Sequence, residues 1–132
     1  MDWLIGHLVG DYLLQNDWMA LNKKKVAIGD EMEAMLLGAV PSLPSTFPCA
    51  VHCLIWALAV WGCQAASKPW PLWTLPILFL THFAQDRTEL VAWWMRNKGQ
   101  AGFLQFLAPW SVIVVDNVLH LFVLWIVSHL VQ

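Results

Sequence analysis

Histidine and aspartate recur four residues apart in three oily stretches: His7 with Asp11, His82 with Asp86, and Asp116 with His120. On an α-helix, residues at that spacing lie on one face, one above the other. Each pair is therefore a two-toothed arm for a metal ion. Inside a bilayer, ionisable side chains are costly and usually mark a functional site. Three such arms point to one buried centre, with His52 as a fourth imidazole in an apolar stretch of its own. The candidate ligands are His7, Asp11, His52, His82, Asp86, Asp116 and His120. Mixed nitrogen and oxygen ligation suits Zn²⁺, with Mn²⁺ or Fe²⁺ as alternatives. Catalytic zinc takes three protein ligands and leaves a position for water. Seven candidates exceed that need, so they suit either two metals or one metal with an aspartate orienting each histidine. A divalent ion in such a site acidifies water and polarises an ester or phosphoryl oxygen.

Neighbouring residues extend this reading. Arg87 points about 100° around the helix from Asp86 and could meet an anionic head group, or snorkel to lipid phosphate. Glu89, one turn beyond Asp86, is a candidate general base or a partner of Arg87. His52 is a ligand or a proton shuttle. Gln15 and Asn117 offer polar support, and Gly10 permits close helix approach. Cys49 and Cys53 flank His52 and could supply a thiolate, though free cysteines, Cys63 included, serve more often as small buried hydrophobes. His129 reads as a bystander. The plain alternative for each pair is an ordinary ion pair, or in lipid a helix-to-helix hydrogen bond. The aspartates inside the apolar stretches each come with a histidine, and that recurrence favours the metal.

These residues need helices in lipid to hold them. Hydrophobic residues make up 59% of the 132-residue chain and charged residues 12%, against about 25% charged in soluble domains. Ten tryptophans against one tyrosine fit an interfacial belt. The formal charge of −2 gives no reason to expect nucleic acid. Met1-Asp2-Trp3 lacks a basic n-region, so no cleavable signal is expected. The expected architecture is all-α: a single integral membrane bundle over residues 1–132 of about four helices around a polar His/Asp centre. The helices are expected at about 3–21, 48–66, 72–95 and 110–131, the last three long enough to span. The connector over 22–47 carries acidic residues, an apolar Met35-Leu36-Leu37 run and several prolines, and is expected to hold a short interfacial helix.

Lys23, Lys24, Lys25, Arg96 and Lys98 fall in the first and third connectors, and only Lys68 in the second. The positive-inside rule places the first and third in the cytoplasm. At about 1.5 Å rise per residue, Asp11, Asp86, Asp116 and His120 then lie roughly 9–15 Å inside the cytoplasmic boundary. His52 lies nearer that boundary, and His7 and His82 about one turn deeper. The shared depth suggests a cavity open to the cytoplasm.

The opening His7-Leu8-Val9-Gly10-Asp11-Tyr12-Leu13-Leu14-Gln15 resembles that of a family of small bacterial and phage membrane proteins carrying a domain of unknown function. That family has an H-L-x-G-D-[FY]-L-L-Q start. His52 resembles its single histidine in the second helix, His82-Phe83-x-x-Asp86-Arg87 its H-F-x-x-D-[RK] element, and Asp116-x-x-x-His120 its closing element. The first connector looks longer than the family's. The arrangement is similar to that of small inner-membrane proteins regarded as metal-dependent hydrolases. The resemblance implies a multi-pass protein of the bacterial inner membrane. The function expected is a metal-dependent hydrolase acting on a lipid or other amphiphile, a phosphoester foremost, at the cytoplasmic leaflet. The alternatives are a proton or metal-ion path and a non-catalytic phage or host membrane factor whose polar network fixes packing.

Overall fold

The structure is a computed structural model that describes residues 1–23, 46–88, 90–107 and 109–131. The surface helix expected in the first connector lies outside them, as does Glu89. Every regular element among the described residues is helical. They form two compact units, Met1–Arg87 and Thr88–Gln132.

In the first unit the stretch expected as one helix over 3–21 is broken. Helix α1 covers Asp2–Leu8, a π-helical turn covers Val9–Leu13, and α2 covers Asp17–Asn22. The Leu14 amide donates to the Val9 carbonyl at 2.9 Å, five residues back, which widens the turn around Asp11. Such π turns favour functional sites. Asn16 then adopts an extended backbone, and its side-chain oxygen accepts from the Met19 amide at 3.0 Å. That is an N-cap, worth about 1 kcal/mol, and it starts α2 afresh.

Helix α3, Thr46–Ala65, has 20 residues, a length of about 30 Å that matches the hydrocarbon core of a bilayer. Pro48 sits in its first turn, where the missing N–H costs nothing. Near its other end Gln64 serves two helices. Its amide donates to the Lys68 carbonyl at 3.1 Å, and its carbonyl accepts from the Trp3 amide at 3.2 Å. One side chain thus satisfies a backbone donor at the start of α1 and an acceptor just past the end of α3. Two glycines set the spacing of these helices. A Cβ at Gly6 would stand 2.5 Å from the Val60 Cα, and one at Gly10 would stand 2.6 Å from Trp56 Cδ1. Gly6 and Gly10 form a small-xxx-small pair that lets two backbones approach closely. Because Gly6 meets backbone, which cannot swing aside, G6A should cost about 1–3 kcal/mol. Thermal unfolding in detergent micelles measures the loss.

Helix α4 covers Thr74–Arg87. It runs antiparallel to α3 across a short turn that Trp61 secures by donating its indole N–H to the Trp70 carbonyl at 3.0 Å. The single helix expected over 72–95 ends here after 14 residues, about 21 Å and short of a full span. The Thr88 hydroxyl oxygen accepts from the Leu90 amide at 3.3 Å, a local bond that competes with helix continuation.

The second unit begins with α5, Leu90–Asn97. Gly99, at φ 72°, ends it, with Gln100 N–H donating to Met95 O at 2.9 Å and Gly99 N–H to Arg96 O at 3.3 Å. This left-handed cap suits glycine and needs both bonds. Helix α6, Ala101–Phe106, and α7, Trp110–Leu130, complete the unit. Three of the four helices expected are long enough in sequence to span; among the described residues two, α3 and α7, are long and apolar enough to cross a membrane.

Buried side chains are mixed in character: Trp56, Val60 and Leu78 are buried as well as polar groups. His7, His52, His82, Asp86 and His120 are buried, whereas Leu54, Leu58, Leu80, Val118 and Phe122 are at least half exposed. Large exposed apolar surfaces mark contact with lipid or partners.

Candidate metal centre

Four elements of the first unit deliver the polar side chains. The π turn presents Asp11, α1 His7, α3 His52, and α4 both His82 and Asp86. His52 Nε2 and His82 Nε2 meet at 3.0 Å. Asp86 Oδ2 lies 3.3 Å from the first and 3.6 Å from the second. Asp11 Oδ1 lies 3.3 Å and 3.5 Å from the same two nitrogens. His52, His82 and Asp86 are at most 2% exposed.

Protons alone serve this arrangement poorly. A neutral imidazole Nε2 offers either one N–H or one lone pair, yet each nitrogen here faces its twin and two carboxylates. A cation answers all of these contacts together. Donor atoms about 2.0–2.1 Å from a tetrahedral zinc stand about 3.3–3.4 Å from one another. His52 Nε2, His82 Nε2 and Asp86 Oδ2, with edges of 3.0, 3.3 and 3.6 Å, form one face of such a tetrahedron. The donor chemistry fits a divalent metal.

Trp56 holds the group in place. It lies one turn after His52 on α3 and is 1% exposed. Its ring stacks on His82 at 4.1 Å between centroids and 14° between planes, and its indole N–H donates to His7 Nδ1 at 3.1 Å. Asp11 Oδ2 lies 3.1 Å from the same nitrogen, and a neutral Nδ1 serves one of these two partners at a time, accepting from the indole or donating to the carboxylate. W56F should keep the stacking and lose the indole bond, at a cost of about 1 kcal/mol. Chemical denaturation of the two proteins in the same detergent measures the difference.

Lys23 completes the centre. Its ammonium donates to Asp86 Oδ2 at 2.8 Å and to Gln15 Oε1 at 3.0 Å. The chain matches the family described as "Protein of unknown function (DUF3307)" over residues 1–132. It belongs to this family. Comparison with curated proteins and with solved structures finds no match.

Within the first unit of this DUF3307 chain the expected ligands His7, Asp11, His52, His82 and Asp86 gather in one place. Asp116 and His120 face each other across one turn of α7, with 3.5 Å between Oδ2 and Nε2. Gln15 supports the first group through Lys23, whereas Asn117 donates to the Ile113 carbonyl of its own helix at 2.8 Å. Arg87 ends α4, half-buried. Cys49 and Cys53 are buried with their sulfurs 3.9 Å apart. His129 bonds the Trp125 carbonyl at 2.8 Å and packs on that ring at 4.4 Å, a locally satisfied histidine. Trp56 and Lys23 escape the sequence reading. The signal for Trp56 was its place four residues after His52. In the sequence Lys23 is one of the connector charges of the positive-inside pattern.

Proposed function

We propose that this protein is a metal-dependent hydrolase of the bacterial inner membrane, acting on a phosphoester of a lipid or other amphiphile. The observation that carries the reading is the buried triangle of His52 Nε2, His82 Nε2 and Asp86 Oδ2. Its placement supports a membrane substrate. His52 lies about 9 Å from the Thr46 end of α3. That end follows Lys23, Lys24 and Lys25, so the positive-inside rule sets it in the cytoplasm. Between α3 and α4 lies an apolar groove of about 510 Å³, lined among others by Phe47, Leu54, Leu58, Leu75 and Phe79. Its volume and lining suit a hydrocarbon chain.

When bound, a divalent cation supplies Lewis acidity toward a phosphoryl oxygen and lowers the pKa of water. His52, His82 and Asp86 hold it, and Asp11, against the same two nitrogens, accepts a proton or completes the ligand set. Trp56 and the surrounding apolar side chains exclude bulk water and so strengthen each electrostatic contact. A second reading, a proton path, draws on the 3.0 Å contact between two buried imidazoles.

The test is purification in detergent, metal analysis, and incubation with mixed micelles of phospholipid and lipid phosphate. The hydrolase reading expects stoichiometric metal and a released phosphate or head group, both lost on chelation and restored by Zn²⁺ or Mn²⁺. Folded protein without metal or product contradicts it. Proton flux in liposomes without hydrolysis favours the path.

A further inference from the structure

The ammonium of Lys23 stands where a metal site ordinarily tolerates no second cation. It lies 2.8 Å from Asp86 Oδ2, the same oxygen that stands 3.3 Å from His52 Nε2. Its side chain is only 17% exposed, so water screens the contact weakly. Lys23 is the C-cap residue of a short helix, α2, and its charge rides on a flexible four-carbon stem. Gln15, from the break before α2, accepts a second bond from the same ammonium at 3.0 Å. A dication and an ammonium sharing one carboxylate oxygen repel each other, and the mobile partner is the lysine. Displaced from Asp86, Lys23 remains tethered beside the ion, next to the Gln15 amide. An ammonium beside a divalent ion, both positive, makes a binding place for a phosphate oxygen.

We propose that Lys23, tethered by the Gln15 carbonyl, forms the anion-binding side of this centre. Lys23 neutralises Asp86 while the site lacks metal, and turns onto a phosphate oxygen of the substrate when a divalent cation takes its place. This rests on the metal reading of His52, His82 and Asp86, and it assigns the substrate's anionic group to a lysine that would otherwise be a structural ion pair.

The probes are Co²⁺ and inorganic phosphate, used with the full chain in detergent micelles. K23M should bind Co²⁺ about tenfold tighter than the wild type, because a positive charge beside a ligand oxygen is gone. In the Co²⁺-loaded protein, phosphate affinity should fall about tenfold in K23M and persist in K23R, which keeps the charge. K23Q provides the same comparison if K23M fails to fold. Equal Co²⁺ affinity in wild type and K23M, or phosphate affinity unchanged by K23M, overturns the role given to Lys23. Binding of Co²⁺ by neither protein overturns the metal reading beneath it instead.

Discussion

His52→Ala and His82→Ala should each lower divalent-metal affinity by more than about a hundredfold. Changing a residue that merely orients a ligand costs about 10–100-fold, and these two nitrogens are the atoms around which both carboxylates gather. The two variants should differ in stability. His82 stacks on Trp56, so its loss also opens a cavity against a buried ring. His52 meets His82 at a tilt, with 5.1 Å between ring centroids. Isothermal titration with Zn²⁺, read beside tryptophan fluorescence as a measure of folding, separates lost binding from lost structure. Folded His52→Ala protein that binds Zn²⁺ like the wild type would remove His52 from the ligand set.

Asp86→Ala should be the most destabilising single change at the centre. It leaves the Lys23 ammonium, 17% exposed, without its nearest counter-charge. Breaking a buried ion pair from one side costs about 3–5 kcal/mol. Gln15 still accepts a bond from Lys23, so the lower end, about 3 kcal/mol, is expected. The double variant D86A/K23M removes both charges and should recover most of that loss. Denaturation of the four proteins of this cycle in one detergent yields the coupling. Additive losses would mean that the pair is not a buried ion pair in the folded protein.

The all-helical class and the length of α3 and α7 were legible because an unbroken apolar run is the strongest signal a helix sends. The same signal misled at both polar ends of the first unit. Apolar residues continue from Trp3 to Leu21, so hydropathy runs past the π turn and past Asn16, whose capping bond to Met19 decides the break. Residues 72–95 read alike as one helix until Thr88, where a hydroxyl-to-backbone bond intervenes. Within the cluster, His7 with Asp11 and His82 with Asp86 stand out because aspartate is rare in oily sequence and helical spacing couples it to histidine, whereas His52 stands out only as a lone imidazole in an apolar stretch. What spacing cannot reveal is contact between segments far apart in the chain. Lys23 lies 63 positions before Asp86, and Trp56 is 49 positions after His7. Gly6 and Gly10 carried a readable small-xxx-small signature, and their partner, the Trp56–Val60 stretch of α3, appears only in the fold.

X-ray absorption at the zinc edge of the purified, Zn²⁺-loaded protein bears most directly on the assignment of His52, His82 and Asp86 as ligands. It should show a first shell of nitrogen and oxygen alone at about 2.0–2.1 Å, with the outer-shell scattering of two imidazoles. A sulfur shell at about 2.3 Å, which would transfer the ion to Cys49 and Cys53, or a hydrated ion without imidazole scattering, would contradict it.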